Sequence, residues 1–148
     1  MMEKIVAMYE ENRKNEAAYD AAEAAKDQEG MEAARARHQQ LCQEARDNGK
    51  DFCFMLRLYT SMKERGNLVI DLDDVHDYQV KEVAGVLLQF GVKHFTFSST
   101  WSSAISAAWE FGQHGYHLGG MIQVNSQFRD FHSDEWKKVP ALVFNINE

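Results

Sequence analysis

Apolar positions along the chain change their rhythm once. Up to about Asn48 they are sparse and mostly Ala, set among Glu, Gln, Arg and Lys in stretches such as NEAAYDAAEAAKDQEGMEAARARHQQLCQEAR. These are good helix formers, and no proline interrupts them. The pattern predicts a helical hairpin or one long bent helix over residues 1–48, with Gly30 where two runs meet and Asp47-Asn48-Gly49 as turn and C-cap. Its apolar side is a thin Ala stripe with Ile5, Met8, Tyr9, Tyr19, Met31 and Leu41 as the larger anchors. Such a stripe is marginal alone, so it must pack on the remainder of the chain or on another copy.

DFCFMLRLYTSMKERGN follows, with Phe52, Met55, Leu56, Tyr59 and Met62 at helical spacing and Phe54 and Leu58 on the opposite side. Lys63 and Arg65 suit a helix C-terminus, and Gly66 ends it. From Leu68 short apolar runs alternate with amphipathic stretches. LVIDL reads as a strand and DDVHDYQVKEVAGVLLQFG as a helix with Val80, Val83, Ala84, Leu87 and Leu88 on one face. HFTFS reads as a strand and SSTWSSAISAAWEFGQHG as a helix with Ala104, Ile105, Ala108 and Trp109 toward the core. GGMIQVN and ALVFNIN read as strands joined by a long connection carrying Phe128, Phe131 and Trp136. The order β-α-β-α-β-β defines an α/β fold: a helical N-terminal region (1–48) followed by a small layered domain (49–148) with a mixed sheet and an antiparallel finish.

Charge sharpens one part of this picture. Charged residues make up 26% of the chain, yet between His94 and Phe128 only Glu110 is formally charged. The reading is burial: the middle of the sheet and its closest helix, covered on both sides. The remaining polarity excludes two classes of function. A net charge of −7, with Lys137-Lys138 the only basic pair late in the chain, opposes nucleic-acid binding. No apolar run is long enough to span a membrane, and MMEKIVAMYEENRKN lacks the apolar core of a secretory signal, so a cytoplasmic location is expected. Cys42 and Cys53 read as reduced structural thiols, and no cofactor or metal set is predicted.

Candidate chemistry gathers where strands turn into helices. In an open α/β sheet, ligands bind at the carboxyl ends of the strands. The first strand ends in Asp71, Asp73 and Asp74, followed by His76. The second ends in Ser98, Ser99 and Thr100 beside Trp101, at a helix start suited to an anion. A third strand parallel to these would bring Asn125 and Ser126 to the same rim. The competing account is capping, with Asp73 or Asp74 starting one helix, Asp77 in its first turn, and Ser99 or Thr100 starting the next. His114 and His117, three apart, could offer two metal ligands without a third placed by sequence, but they stand at a helix end, where His also suits the dipole.

VIDLDD followed by FTFSS resembles the haloacid dehalogenase phosphatases, in which an apolar strand ends in Asp-x-Asp and a later one in Ser or Thr. The resemblance implies phosphoryl transfer through Asp71, although Asp74-Val75 stands where that family has Gly-Thr. FTFSSTWSSAISAAWEF, with GVLLQFG before it and GGMIQVN and PALVFNIN after it, is similar to a group of small uncharacterised proteins from gut bacteria and their mobile elements. That similarity implies a domain over roughly residues 65–148 and no mechanism. No catalytic constellation is complete in the sequence. The leading expectation is an accessory or protein-interaction role, with partners or further copies docking on the N-terminal helices. The alternatives are a small-ligand binder or a metal-dependent phosphoester hydrolase at the strand rim.

Overall fold

The computed structural model describes all of residues 1–148. The chain divides into two compact units, Met1–Tyr59 and Thr60–Glu148, the boundary falling inside a helix. In the first unit, α1 (Met2–Ala24) and α2 (Gln28–Asp47) form a hairpin, followed by the start of α3 (Lys50–Arg65). The hairpin turns at Ala25–Asp27, with Lys26 at a φ of 54°, rather than at Gly30. Asp27 is the N-cap of α2, its carboxylate accepting the Gly30 N–H at 3.1 Å. Gly30 lies inside α2 because a side chain there would run into Ala22 and the Asp27 carboxylate. Of the small-residue stripe only Ala22, Ala34 and Ala45 are buried, along with the large residues Ile5 and Leu41, and its other alanines are exposed. The helices are also tied by the Asn15 amide donating to the Ala34 carbonyl at 2.9 Å and by Arg37 beside Glu11 at 3.5 Å.

The second unit is an α/β layer. Its elements after the end of α3 are β1 (Asp71–Leu72), a 3-10 turn (Asp77–Gln79), α4 (Val80–Gln89), β2 (His94–Phe97), α5 (Ala104–Gln113), β3 (Tyr116–Arg129) and β4 (Trp136–Ile146). The predicted order is observed, in a mixed sheet arranged β1-β2-β4-β3. β1 and β2 are parallel, and β4 inserts antiparallel between β2 and β3. β3 therefore runs in the same direction as β1 and β2 without touching either, and it forms one edge of the sheet.

Aromatic packing decides which faces are inside. Phe95 of β2 lies 4.9 Å from Phe111 of α5, 4.8 Å from Tyr116 and 5.3 Å from Phe144 of β4, centroid to centroid. Phe97 also meets Phe111, at 5.7 Å. Tyr116 is wholly buried, its hydroxyl donating to the Val92 carbonyl at 2.7 Å, and burial pushes its phenol up to about 12. Val80, Ala84 and Leu87 of α4 are fully buried, as the sequence predicts, whereas Leu88, expected on the same face, is exposed.

Four expectations change. β1 is a two-residue strand rather than the whole of LVIDL. Asn67 just before it is tied to β3 instead, and Leu68 is exposed. The helix before β2 begins with the 3-10 turn, whose N-cap is His76 and not Asp73 or Asp74; the His76 N–H donates to the Gln79 side chain at 2.9 Å. Asp77 does sit in that first turn. The long connection near the C-terminus is a hairpin, since β3 and β4 extend to Arg129 and from Trp136, leaving Phe131 at the exposed tip. Trp136 is pinned there by the Arg129 guanidinium 3.7 Å from its ring and by its indole N–H donating to the Glu64 carbonyl at 3.3 Å.

The fourth change is the face of α5. Ala107 and Phe111 are fully buried, while Ile105 and Trp109 are 87% and 68% exposed. Phe111 wins because it enters the cluster around Phe95, and a helix that turns one stripe inward turns the residues beside it outward. The contrast is measurable. Phe111→Ala should cost about 3–5 kcal/mol, as large core truncations do, whereas Trp109→Ala should stay within about 0.5 kcal/mol. Equal losses in denaturant midpoint would return Trp109 to the core.

Candidate functional site

Asp71 is aligned with Thr96 across the parallel β1–β2 pair, so both side chains leave the same face of the sheet. Phe95 and Phe97 point to the α5 face, which puts Asp71, Thr96 and Ser98 on the other one. There the carboxylate accepts the Thr96 hydroxyl at 2.7 Å on one oxygen and the Ser98 hydroxyl at 2.6 Å on the other. Asp71 is only 8% exposed and Thr96 not at all. Desolvation raises the Asp71 carboxyl above its ordinary range, against the two hydroxyl donors and with a smaller upward push from Asp73; Arg65 acts weakly downward. Asp73 itself faces Arg65, N to O at 3.4 Å. The predicted acids and hydroxyls do meet, then, at Asp71 and Ser98, inside a closed hydrogen-bonded cluster.

The rest of the rim is arranged differently. His76 stacks on Trp101 at 4.0 Å and on Tyr78 at 5.4 Å, and its Nδ1 is 3.2 Å from the Ser103 hydroxyl. Ser99 and Thr100 do not cap α5, whose N-cap is Ser103. The chain makes a further turn first, in which the Ser99 hydroxyl accepts the Trp101 N–H at 3.3 Å. Asn125 is engaged by other groups: its amide donates to the Arg65 carbonyl at 2.6 Å, and its backbone N–H and C=O pair with the Asn67 side chain, each at 2.9 Å. Ser126 closes a local turn with Phe128. His114 is 3.5 Å from Glu110 and His117 is 2.8 Å from the Asn147 side chain, so the two rings serve different neighbours.

A groove of about 340 Å³ opens on the other face of the sheet. Its floor is Phe97, Leu142, Met121 and Pro140, one wall is Ala104, Ile105 and Ala108 of α5, and Ser98, Ser99 and Thr100 close one end. Cross-strand rows show how it arises. Along Phe95, Phe144 and Leu118, exposure goes from 0% to 1% to 57%. Phe97 is 2% exposed, and Met121, two strands away in the next row, is 64% exposed. The helical cover thus ends short of β3. Ile105 and Trp109, one helical turn apart, border this uncovered strip with Leu118 and Met121. The neutrality of residues 94–128 is burial at β2, the inner side of α5, Tyr116, Val124 and Ser126; on the outer side of α5 and from Leu118 to Ile122 it is an exposed apolar surface. The sequence reasoning missed these four residues, and the signal was available: α5 has apolar residues on more of its circumference than one sheet can cover. A second recess, of about 390 Å³ between α1 and α2, is lined by groups that bond each other, Asn15 to Ala34 and Arg35 to the Tyr19 hydroxyl.

No helix is long and apolar enough to cross a membrane. The second unit is a small α/β domain with an asymmetrically covered mixed sheet. Residues 54–146 match the DUF7698 family, a domain of unknown function, and the chain belongs to that family. No curated protein and no solved structure matches it.

The Asp71 cluster yields a pH-dependent expectation. The folded state holds the Asp71 proton more tightly than the unfolded chain does. The favourable contribution of this group is therefore complete below its ordinary value of 3.8 and is lost as pH rises through its raised folded value. Asp71→Asn should then be neutral or stabilising at pH 7 and lose that advantage at pH 3, as read from thermal midpoints at the two values. An advantage of the native carboxylate that grows with pH would overturn this. Thr96→Val, which leaves a charged oxygen without its donor, should cost about 1.5–3 kcal/mol at neutral pH.

Proposed function

We propose that the protein is an accessory, protein-interaction module, and that its docking surface is the open apolar strip of the second unit. One observation carries this reading: Ile105 and Met121 are more than half exposed along the wall and floor of one groove, and Trp109, one helical turn beyond Ile105, and Leu118, in the next cross-strand row, are more than half exposed as well. Contiguous apolar surface of this kind on a charged protein marks an interaction site, because water contact with it is relieved only by a partner. Trp109 at its border suits a binding hot spot. The N-terminal hairpin, the surface expected from sequence, has less support, since its large residues Ile5 and Leu41 are buried and the apolar residues it exposes are mostly Ala.

A second reading is a small ligand with an apolar body and a polar end, favoured by Ser99 and Thr100 at one end of the groove. Phosphoester hydrolysis at Asp71 has the least support, because both carboxylate oxygens are hydrogen-bonded.

The test is a photo-crosslinking residue placed at Trp109 or Ile105 in living cells, with exposed Lys81 on α4 as control. The expected result is covalent adducts containing a second polypeptide at 109 and 105, and none above background at 81. Absence of such adducts at 109 and 105 would refute the docking surface. A shift in thermal midpoint with small apolar carboxylates or alcohols, abolished by Met121→Lys, would then favour the ligand reading.

A further inference from the structure

The partner that fits the edge of this surface is a second copy of the chain. Residues 117–123 of β3 are all exposed, so along this stretch the edge strand presents unpaired backbone to solvent. Its orientation can be read from two neighbours. The Asn67 side chain occupies both the N–H and the C=O of Asn125, so those groups point away from β4. By the two-residue alternation of an antiparallel ladder, the N–H and C=O of Gln123 and Met121 point the same way. Pro140, aligned with Gln123, agrees with this, since it has no N–H to give to β3. Asn67 closes the free edge at one end, and the bulge between Leu118 and Gly120 closes it at the other.

Charge selects the occupant. The chain carries −7 overall, which sets copies against one another, but no formal charge lies between Phe111 and Phe128. This neutral edge is where two copies approach without repulsion. Antiparallel pairing of a strand with itself is isologous, so each copy supplies the complement that the other needs.

We infer that the protein pairs with a second copy through antiparallel β3–β3 contact about a two-fold axis at Ile122, Met121 of each copy lying opposite Gln123 of the other. This rests on the reading of the second unit as an interaction module. Ile122 is 49% exposed and stands between the two residues whose backbone groups face outward, so it meets its own counterpart in a non-hydrogen-bonded pair. The Cα separation of such a pair is about 4.5 Å, within the range that a disulfide bridges.

Single cysteines at 121, 122 and 123, in a chain carrying Cys42→Ser and Cys53→Ser, test the register under mild oxidation. Ile122→Cys should form a disulfide-linked dimer at least about tenfold more readily than Met121→Cys or Gln123→Cys. Ile122→Lys places like charges face to face, and should raise the concentration at which sedimentation shows half dimer by about tenfold or more, with circular dichroism unchanged. A full-length chain that stays monomeric at every concentration overturns the inference. So does a dimer that survives Ile122→Lys without crosslinking at 122. In either case, adducts at Trp109 with other polypeptides would leave the docking surface itself standing.

Discussion

The second unit depends on the packing of Phe95, Phe111, Tyr116 and Phe144 into one cluster. Each ring comes from a different element: β2, α5, the start of β3 and β4. Because the rings meet, α5 is held over β2 and β4, and β4 lies between the two strands that α5 connects. Placing α5 there has a geometric cost, since one short helix cannot also cover β3. The apolar groove and the bare edge are consequences of the same packing that makes the core. Removing the exposed strip by adding cover would require another helix, not a better sequence for the existing one.

Much of this architecture is legible in the sequence, and the reasons differ from part to part. The helices of the first unit follow from residue type alone, because Ala, Glu, Gln and Arg favour helix wherever they are placed. The β-α-β-α-β-β order follows from the alternation of short apolar runs with amphipathic ones. The inward face of α5 does not follow, because Ile105 and Trp109 are as apolar as Ala107 and Phe111. Only the aromatic partners contributed by β2 and β4 distinguish the two stripes. Strand lengths fail for a related reason: β3 has no alternation to read, being exposed on both faces from His117 to Gln123.

The candidate site was legible in chemistry and not in geometry. Asp71 and Ser98 are neighbours, as acids and hydroxyls at adjacent strand ends should be, but the sheet pleat sends the Asp71 carboxylate to the face away from the groove that Ser98 borders. Thr96, their wholly buried companion, lies inside an apolar run and gives no signal of its own. Asn125 shows the same limit from the other direction. Its amide chemistry suits a ligand, while the structure uses it to join the end of α3 to β3.

The two edges of the sheet are unequal, and this inequality sets a valence. β1, at the far edge, is two residues long and runs directly into Asp73 and Asp74, so it offers almost nothing for another strand to extend. β3 offers one open stretch, stopped at Asn125 by the Asn67 side chain. A sheet with two equivalent edges can stack neighbours without limit and grow into a fibre. One with a single usable edge is saturated by its first neighbour, so an exposed apolar strand is here compatible with a finite particle.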